Sequence, residues 1–159
     1  MAAVKQTIIA VSGVKNSGKT TLLESLIPRL AARGLRCAVV KHDGHRFEPD
    51  RAGTDTRRLL DAGAMGAAVF DGEKWQAVKY ERVDEAALIA LYPEADVVLL
   101  EGFKSSDYPK IEVWRETNSP APVCDPCTLL ALAGEDCDPD ALSELIYHYV
   151  KEKKGANEP

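Results

Sequence analysis

Apolar positions along this chain fall into short runs, and the runs alternate between a strand-like and a helix-like period. Residues 7–11 are apolar and partly β-branched, and Gly13 closes the run, which predicts a buried strand followed by a tight loop. Over 20–33, Leu22, Leu23, Leu26, Ile27 and Leu30 recur at three- and four-residue spacing and Gly34 stands where helices commonly stop, so a helix is predicted. Pro28 lies inside it and would kink its last turn, since proline removes a backbone donor and clashes one turn back. Residues 35–40 form a second apolar run, joined to the helix by Gly34 alone. A strand, helix, strand unit this compact implies parallel strands and a right-handed crossover.

The next stretch, 41–53, is polar and broken by Gly44, Pro49 and Gly53, and it reads as a working loop. Thr54 is expected to cap a short helix ending near Gly63, after which 64–70 and 74–80 read as an antiparallel hairpin around Asp71 and Gly72. Residues 84–92 read as a helix, 96–100 as a buried strand, and 110–115 as a half-exposed strand in which apolar and polar positions alternate. Pro120, Pro122 and Pro126 make the following segment irregular. A last buried strand is expected at 129–133 and a last helix at 141–153, with Leu142, Leu145, Ile146 and Tyr149 on one face. The pattern is that of an α/β protein: a mostly parallel sheet flanked by helices, with an added antiparallel hairpin. The expected organisation is a single domain over 1–153 and a frayed tail over 154–159.

Composition narrows this picture without changing it. A length of 159 residues, 45% of them hydrophobic, suits one domain with a sizeable core. Twenty basic residues against 25 acidic give a net charge of -5, which offers no long-range attraction for nucleic acid or an anionic membrane. No apolar run is long enough to span a bilayer, and no secretory segment is expected at the start. Cys37, Cys124, Cys127 and Cys137 then suggest a reducing compartment, and a cytoplasmic location is the expectation.

The candidate chemistry begins at Gly13-Val14-Lys15-Asn16-Ser17-Gly18-Lys19-Thr20, which has Walker A spacing between a predicted strand and a predicted helix. Glycines let backbone N–H groups approach phosphate oxygens, and the helix N-terminus points its unpaired N–H groups at the same anion. Lys19 would neutralise the outer phosphates and stabilise developing charge, and the Thr20 hydroxyl would ligate Mg²⁺. Such a loop works with an acidic residue at the end of a neighbouring buried strand. Glu101 fits, because it follows Val97-Val98-Leu99-Leu100 and should emerge at the carboxyl edge of the sheet. Asp43, just past the second strand in Lys41-His42-Asp43-Gly44-His45, is a second candidate for Mg²⁺ or its waters. His42 and His45 lack further zinc ligands and are expected to bind an anion, take part in hydrogen bonds or contact a partner.

These segments together resemble the molybdopterin-guanine dinucleotide biosynthesis accessory family, MobB. The resemblance is carried by 13–22, by Lys41-His42-Asp43-Gly44-His45, by Gly53-Thr54-Asp55-Thr56-Arg57, by Ala62-Gly63-Ala64 and by Leu100-Glu101-Gly102-Phe103-Lys104. It implies a P-loop NTPase fold, GTP and Mg²⁺ as ligands, weak GTPase activity, a homodimer built partly by the extra strands, and a role assisting the guanylyltransferase MobA. By position it places Lys15, Asn16, Ser17, Gly18, Lys19, Thr20 and Thr21 around the phosphates with Gly13, and Thr20, Asp43 and Glu101 near the metal. Asp55 and Arg57 match positions that would be switch-like or substrate-facing, and Lys104 would meet an anionic pterin phosphate, molybdopterin itself being a conceivable partner. The likeness weakens after Glu116. Asp136 would face a guanine edge if 129–136 is the family's late strand and acidic turn, with a solvated loop carboxylate as the favoured alternative.

Cys124 and Cys127 are spaced as a dithiol or half a zinc site, but their proline-rich loop favours incidental reduced thiols, and Cys37 is expected in the core. Trp75 and Trp114 would either cover the core or enter a dimer interface. Two other functions stay open on the residues alone: a small-molecule kinase, with Arg57 and Arg58 clamping a phosphate, and a nucleotide-binding module that does not hydrolyse.

Overall fold

The computed structural model describes residues 6–45 and 47–156; the last three positions of the expected frayed tail lie outside them. In chain order the elements are β1 (Thr7–Ser12), α1 (Lys19–Ala32), β2 (Cys37–Lys41), α2 (Asp55–Asp61), β3 (Gly66–Phe70), β4 (Trp75–Lys79), α3 (Glu85–Ile89), β5 (Val97–Glu101), β6 (Lys110–Val113), β7 (Leu129–Ala133) and α4 (Pro139–Gly155). The described residues group into two compact units, one comprising 6–42 and 85–156, the other those between Asp43 and Asp84. Among the described residues no helix is long and apolar enough to cross a membrane.

The first unit is a five-stranded sheet in the order β2-β5-β1-β6-β7, parallel at every pairing. Successive β1 side chains point to opposite faces, and both faces are covered. Ile9 and Val11, with Val97, Leu99 and Ile111 of neighbouring strands, pack against Leu23, Leu26 and Leu30 of α1 and Leu142, Ile146 and Val150 of α4. Ala10, Val98 and Leu100, with Ala38 and Val40, form a second cluster with Ile89 of α3. The predicted crossover from β1 to β2 is therefore parallel, with β5 inserted between the two strands.

Three local readings change. β6 is buried at all four positions instead of half exposed, because it runs between β1 and β7. Its polar side chains survive burial by finding partners. The Lys110 ammonium donates to the carbonyls of Ser106 and, at 2.8 Å, Tyr108. Glu112 accepts the backbone N–H groups of Val123 at 2.6 Å and Cys124 at 3.0 Å. β7, expected to be buried, is the sheet's edge, with only Ala133 buried. Helix α4 starts at Pro139, where Asp138 accepts the Asp140 N–H, and buries Leu142, Ser143, Ile146 and Val150, while Leu145 is partly exposed. Helix α1 continues through Pro28.

The second unit contains α2 and the antiparallel β3–β4 hairpin, in which Phe70 faces Trp75 across the register. Asp71 closes its turn by accepting the N–H groups of Glu73 and Lys74. Thr54 stands before α2, but its hydroxyl donates to the Arg51 carbonyl and makes no side-chain cap, contrary to the expected role. Trp75 and Phe70 are exposed, so neither covers a core.

One buried carboxylate ties the sheet's amino edge together. Asp96 accepts the Arg36 N–H at 2.7 Å and its guanidinium at 3.1 Å, and pairs with Lys154 at 2.5 Å. Lys154, expected in the frayed tail, is thus helical and held. Burial pushes the Asp96 carboxyl upward, but the Arg36 and Lys154 hydrogen bonds outweigh it and hold the group well below the usual carboxylate range. A depressed folded value stabilises the fold above the unfolded carboxyl pKa of about 3.9 and loses that contribution as pH falls toward the folded value. Asp96→Asn should therefore cost about 2 kcal/mol at pH 7 in urea denaturation. The gap between wild type and variant should close as pH falls below about 4, and a gap that widened there would contradict this assignment.

A candidate phosphate cradle at the carboxyl edge of the sheet

The loop from Gly13 to Thr20 leaves β1 and enters α1 at the carboxyl edge, where open parallel sheets bind ligands. Gly13 has φ 141°, and a Cβ there would lie 2.4 Å from the Val113 carbonyl oxygen and 2.8 Å from Ser17 Oγ. The end of β6 thus leaves room for glycine only. Asn16 takes the left-handed region at φ 62° and Gly18 at φ 95°, which turns the chain into the first residue of α1. No side-chain hydrogen bond caps that helix and no acidic residue belongs to its own first turn, so its terminal N–H groups are left to an anion that approaches the loop. Ser17 Oγ is buried without a hydrogen-bond partner. Lys15, Asn16, Thr20 and Thr21 are exposed on the same loop.

The Lys19 ammonium is folded onto its own loop, 2.7 Å from the Val14 carbonyl and 3.3 Å from that of Gly13. Burial lowers its pKa first, and the neighbouring charges of Lys41 and Lys104 add to the effect, while Glu101 opposes them. A concave loop of N–H groups, an orphaned hydroxyl and a crowded cluster of lysines fits a polyanion such as a phosphate chain.

Glu101 is buried at the end of β5, in register with Lys41 of β2 and Val11 of β1. Its Oε1 accepts the Thr20 hydroxyl at 2.8 Å and lies 3.2 Å from the Lys41 ammonium. Gly102 donates to the Val11 carbonyl at 2.9 Å, and the Ser12 hydroxyl donates back to the Gly102 carbonyl, so the carboxylate is fixed to the phosphate-loop strand. Thr20 and Glu101 are hard oxygen donors side by side, the donor chemistry Mg²⁺ takes from protein when phosphates and water complete its shell. They fit that ion, and its positive charge, when bound, would offset that of the phosphates.

The other expected site residues are distributed differently. Asp43 heads the second unit, two residues past β2, where its carboxylate accepts the His45 N–H at 3.1 Å. His42 donates its backbone N–H to the Glu101 carbonyl at 3.0 Å and sets its ring edge-on to Phe103 at 5.6 Å. Within the second unit, Arg57 is paired with Glu48 and Asp61, and the exposed Asp55 lies 3.5 Å from Arg58. Lys104 is exposed. The four cysteines are free; Cys124 is buried, its thiol pushed up to about 11 by burial and then by Glu112, and Cys127 is exposed.

Sequence reasoning missed the segment after β6. The Asn118 amide donates to the Asn16 carbonyl at 2.7 Å, the Trp114 indole donates to the Ser119 carbonyl at 3.1 Å, and Glu112 holds Val123 and Cys124. The proline-rich stretch is therefore strapped to the phosphate loop. Beside it a cleft of about 470 Å³ opens between Trp114, Glu116, Leu132, Gly134, Asp136 and Cys137. Asp136 is exposed there. No motif announces Asn118, because its contact depends on the course of an irregular segment.

Comparison with known proteins supplies a context for this edge. The family described as Molybdopterin guanine dinucleotide synthesis protein B, MobB, matches residues 8–135. The molybdopterin-guanine dinucleotide biosynthesis adapter protein of Haemophilus influenzae is 38% identical over 124 residues, which cover 74% of this chain and 69% of that protein. Its Escherichia coli counterpart is 35% identical over 116 residues, covering 69% and 66%. Among solved structures, Bacillus subtilis MobB aligns with a TM-score of 0.70 at 29% identity, over 89% of this chain and 96% of that one.

The contact beneath Gly13 can be tested without any ligand. Gly13→Ala forces a side chain against the Val113 carbonyl in a backbone region that side chains rarely adopt, and should cost about 1–3 kcal/mol. Thermal unfolding should show the loss, whereas an unchanged midpoint would mean that β6 does not cross the loop as described.

Proposed function

This chain belongs to the MobB family, and from that premise we propose that it is a Mg²⁺-dependent GTP-binding adapter in molybdopterin-guanine dinucleotide biosynthesis. The observation that carries the reading is the cradle of Gly13 to Thr20 with the Thr20–Glu101 hydrogen bond at its edge. Lys15, Asn16, Ser17, Gly18, Lys19 and Thr21 hold the phosphates around Gly13 and the helix N-terminus. Thr20 and Glu101 hold Mg²⁺, with water and phosphate oxygens completing its shell. On this reading the cleft lined by Trp114 and Asp136 receives the base, and the Asp136 carboxylate accepts hydrogen bonds from guanine.

Hydrolysis on this reading is slow. Lys19 stabilises charge that develops on the transferred phosphoryl group, and no histidine or second carboxylate is recruited to activate water. The nucleotide instead serves assembly: the protein works as a cytoplasmic homodimer and assists the guanylyltransferase MobA, whose molybdopterin substrate it meets at the lysine-rich edge formed by Lys41 and Lys104. The named adapter role of the relatives supports this assignment.

Calorimetry should show GTP binding more tightly than ATP in the presence of Mg²⁺, with Lys19→Ala weakening GTP about a hundredfold. Single-turnover hydrolysis should be slow and should vanish in the same variant. ATP binding more tightly than GTP, or no capture of MobA by the GTP-loaded protein, would contradict the proposal.

A further inference from the structure

The carboxylate that the Mg²⁺ reading assigns to metal holding already has a cation on it. Oε1 of Glu101 accepts the Thr20 hydroxyl at 2.8 Å and is ion-paired with the Lys41 ammonium 3.2 Å away. That oxygen therefore carries a hydroxyl donor and lies against a full positive charge. Thr20 can keep donating its proton to Glu101 while its own lone pair turns to a metal ion. Lys41 cannot share, because an ammonium has no lone pair. Its charge lies against the carboxylate that a metal ion would need there.

The placement is built into the sheet. Lys41 and Glu101 are register partners at the ends of the adjacent parallel strands β2 and β5, and each is the first charged residue after an apolar run. Glu101 is 6% exposed, whereas the Lys41 side chain is 53% exposed. An immobile buried carboxylate is thus paired with a long side chain free to leave. Leaving the carboxylate unpaired would be costly, so the pair is kept until another positive charge arrives. Lys19 and Lys104 lie close enough for their charges to be felt in the same cluster. A divalent ion entering by itself would meet this positive excess, whereas one entering with a triphosphate would not.

We propose that Lys41 is a positioning residue that occupies Glu101 in place of the divalent ion and makes metal binding conditional on the nucleotide. This rests on the Mg²⁺-nucleotide reading of the site. Arrival of the phosphates draws the Lys41 ammonium off Glu101, because its charge then has a stronger partner, and the carboxylate becomes available to the ion that accompanies them. Neither proton transfer nor bond cleavage is involved. The exchange is between two cations on one carboxylate oxygen.

Mn²⁺, whose free form is counted by electron paramagnetic resonance, is the probe. Without nucleotide, wild type should bind Mn²⁺ weakly, and Lys41→Met and Lys41→Gln should each bind it about tenfold more tightly. Lys41→Arg keeps the charge and should behave as wild type, which a merely structural disturbance would not reproduce. Adding Glu101→Gln to Lys41→Met should abolish the gain. With GTP present, wild type and Lys41→Met should converge on similar tight Mn²⁺ binding. If GTP tightens Mn²⁺ binding in wild type but neither neutral variant gains affinity without it, the role of Lys41 is overturned and the nucleotide reading stands. If GTP tightens Mn²⁺ binding in no variant, the nucleotide reading itself falls.

Discussion

The position of β1 between β5 and β6 is the constraint on which the candidate site depends. From one side β5 delivers Glu101 to the first turn of α1, where the Thr20 hydroxyl meets it. From the other, β6 sets the Val113 carbonyl under Gly13 and leaves no room for a side chain. Neither contact is local in sequence: 81 residues separate Thr20 from Glu101. A central strand with close neighbours on both sides is what allows a loop rich in backbone N–H groups to hold an open, concave shape.

That strand is held by ordinary burial on both faces and by an unusual number of satisfied charges. Lys110 and Glu112 are fully buried in β6, yet each is used to pin a neighbouring loop by its backbone. Asp96 does the same at the amino edge, joining the start of β2 to the end of α4. Such groups lose hydration on folding, and the hydrogen bonds that replace it are directional, so they fix where loops run, and removing one partner costs more than the pair adds over an apolar replacement. At the carboxyl edge the same logic places Lys41 on Glu101, with one difference: the lysine is half in water and can be exchanged.

Much of this was legible in the sequence because the local signals were strong. The apolar runs mark the parallel strands, and the Walker A spacing falls on the loop that turns from β1 into α1 through positive φ at Gly13, Asn16 and Gly18. Glu101 was identifiable from its position after Val97-Val98-Leu99-Leu100. The readings that changed concern neighbours. Alternation in 110–113 resembles a half-exposed strand, and only the pairing of β6 with both β1 and β7 explains why Lys110 and Glu112 are inside. The run 129–133 is as apolar as a buried strand but lies at the edge. Asn118 and the Lys41–Glu101 pair were invisible for the same reason, since strand order and the course of a proline-rich segment are not written in a local period. Asp43 follows the apolar run of β2 by two residues, and the second compact unit begins at it.

The central claim is that phosphate loop and Glu101 act as one Mg²⁺-nucleotide site, and the coupling between the two ligands measures it most directly. Titrating GTP into wild type and Glu101→Gln by calorimetry, each with Mg²⁺ and with chelator, gives that coupling as the ratio of affinities. The account predicts that Mg²⁺ tightens GTP about tenfold or more in wild type and far less in Glu101→Gln. Equal affinity with and without Mg²⁺ in wild type, or full coupling retained in Glu101→Gln, would contradict it.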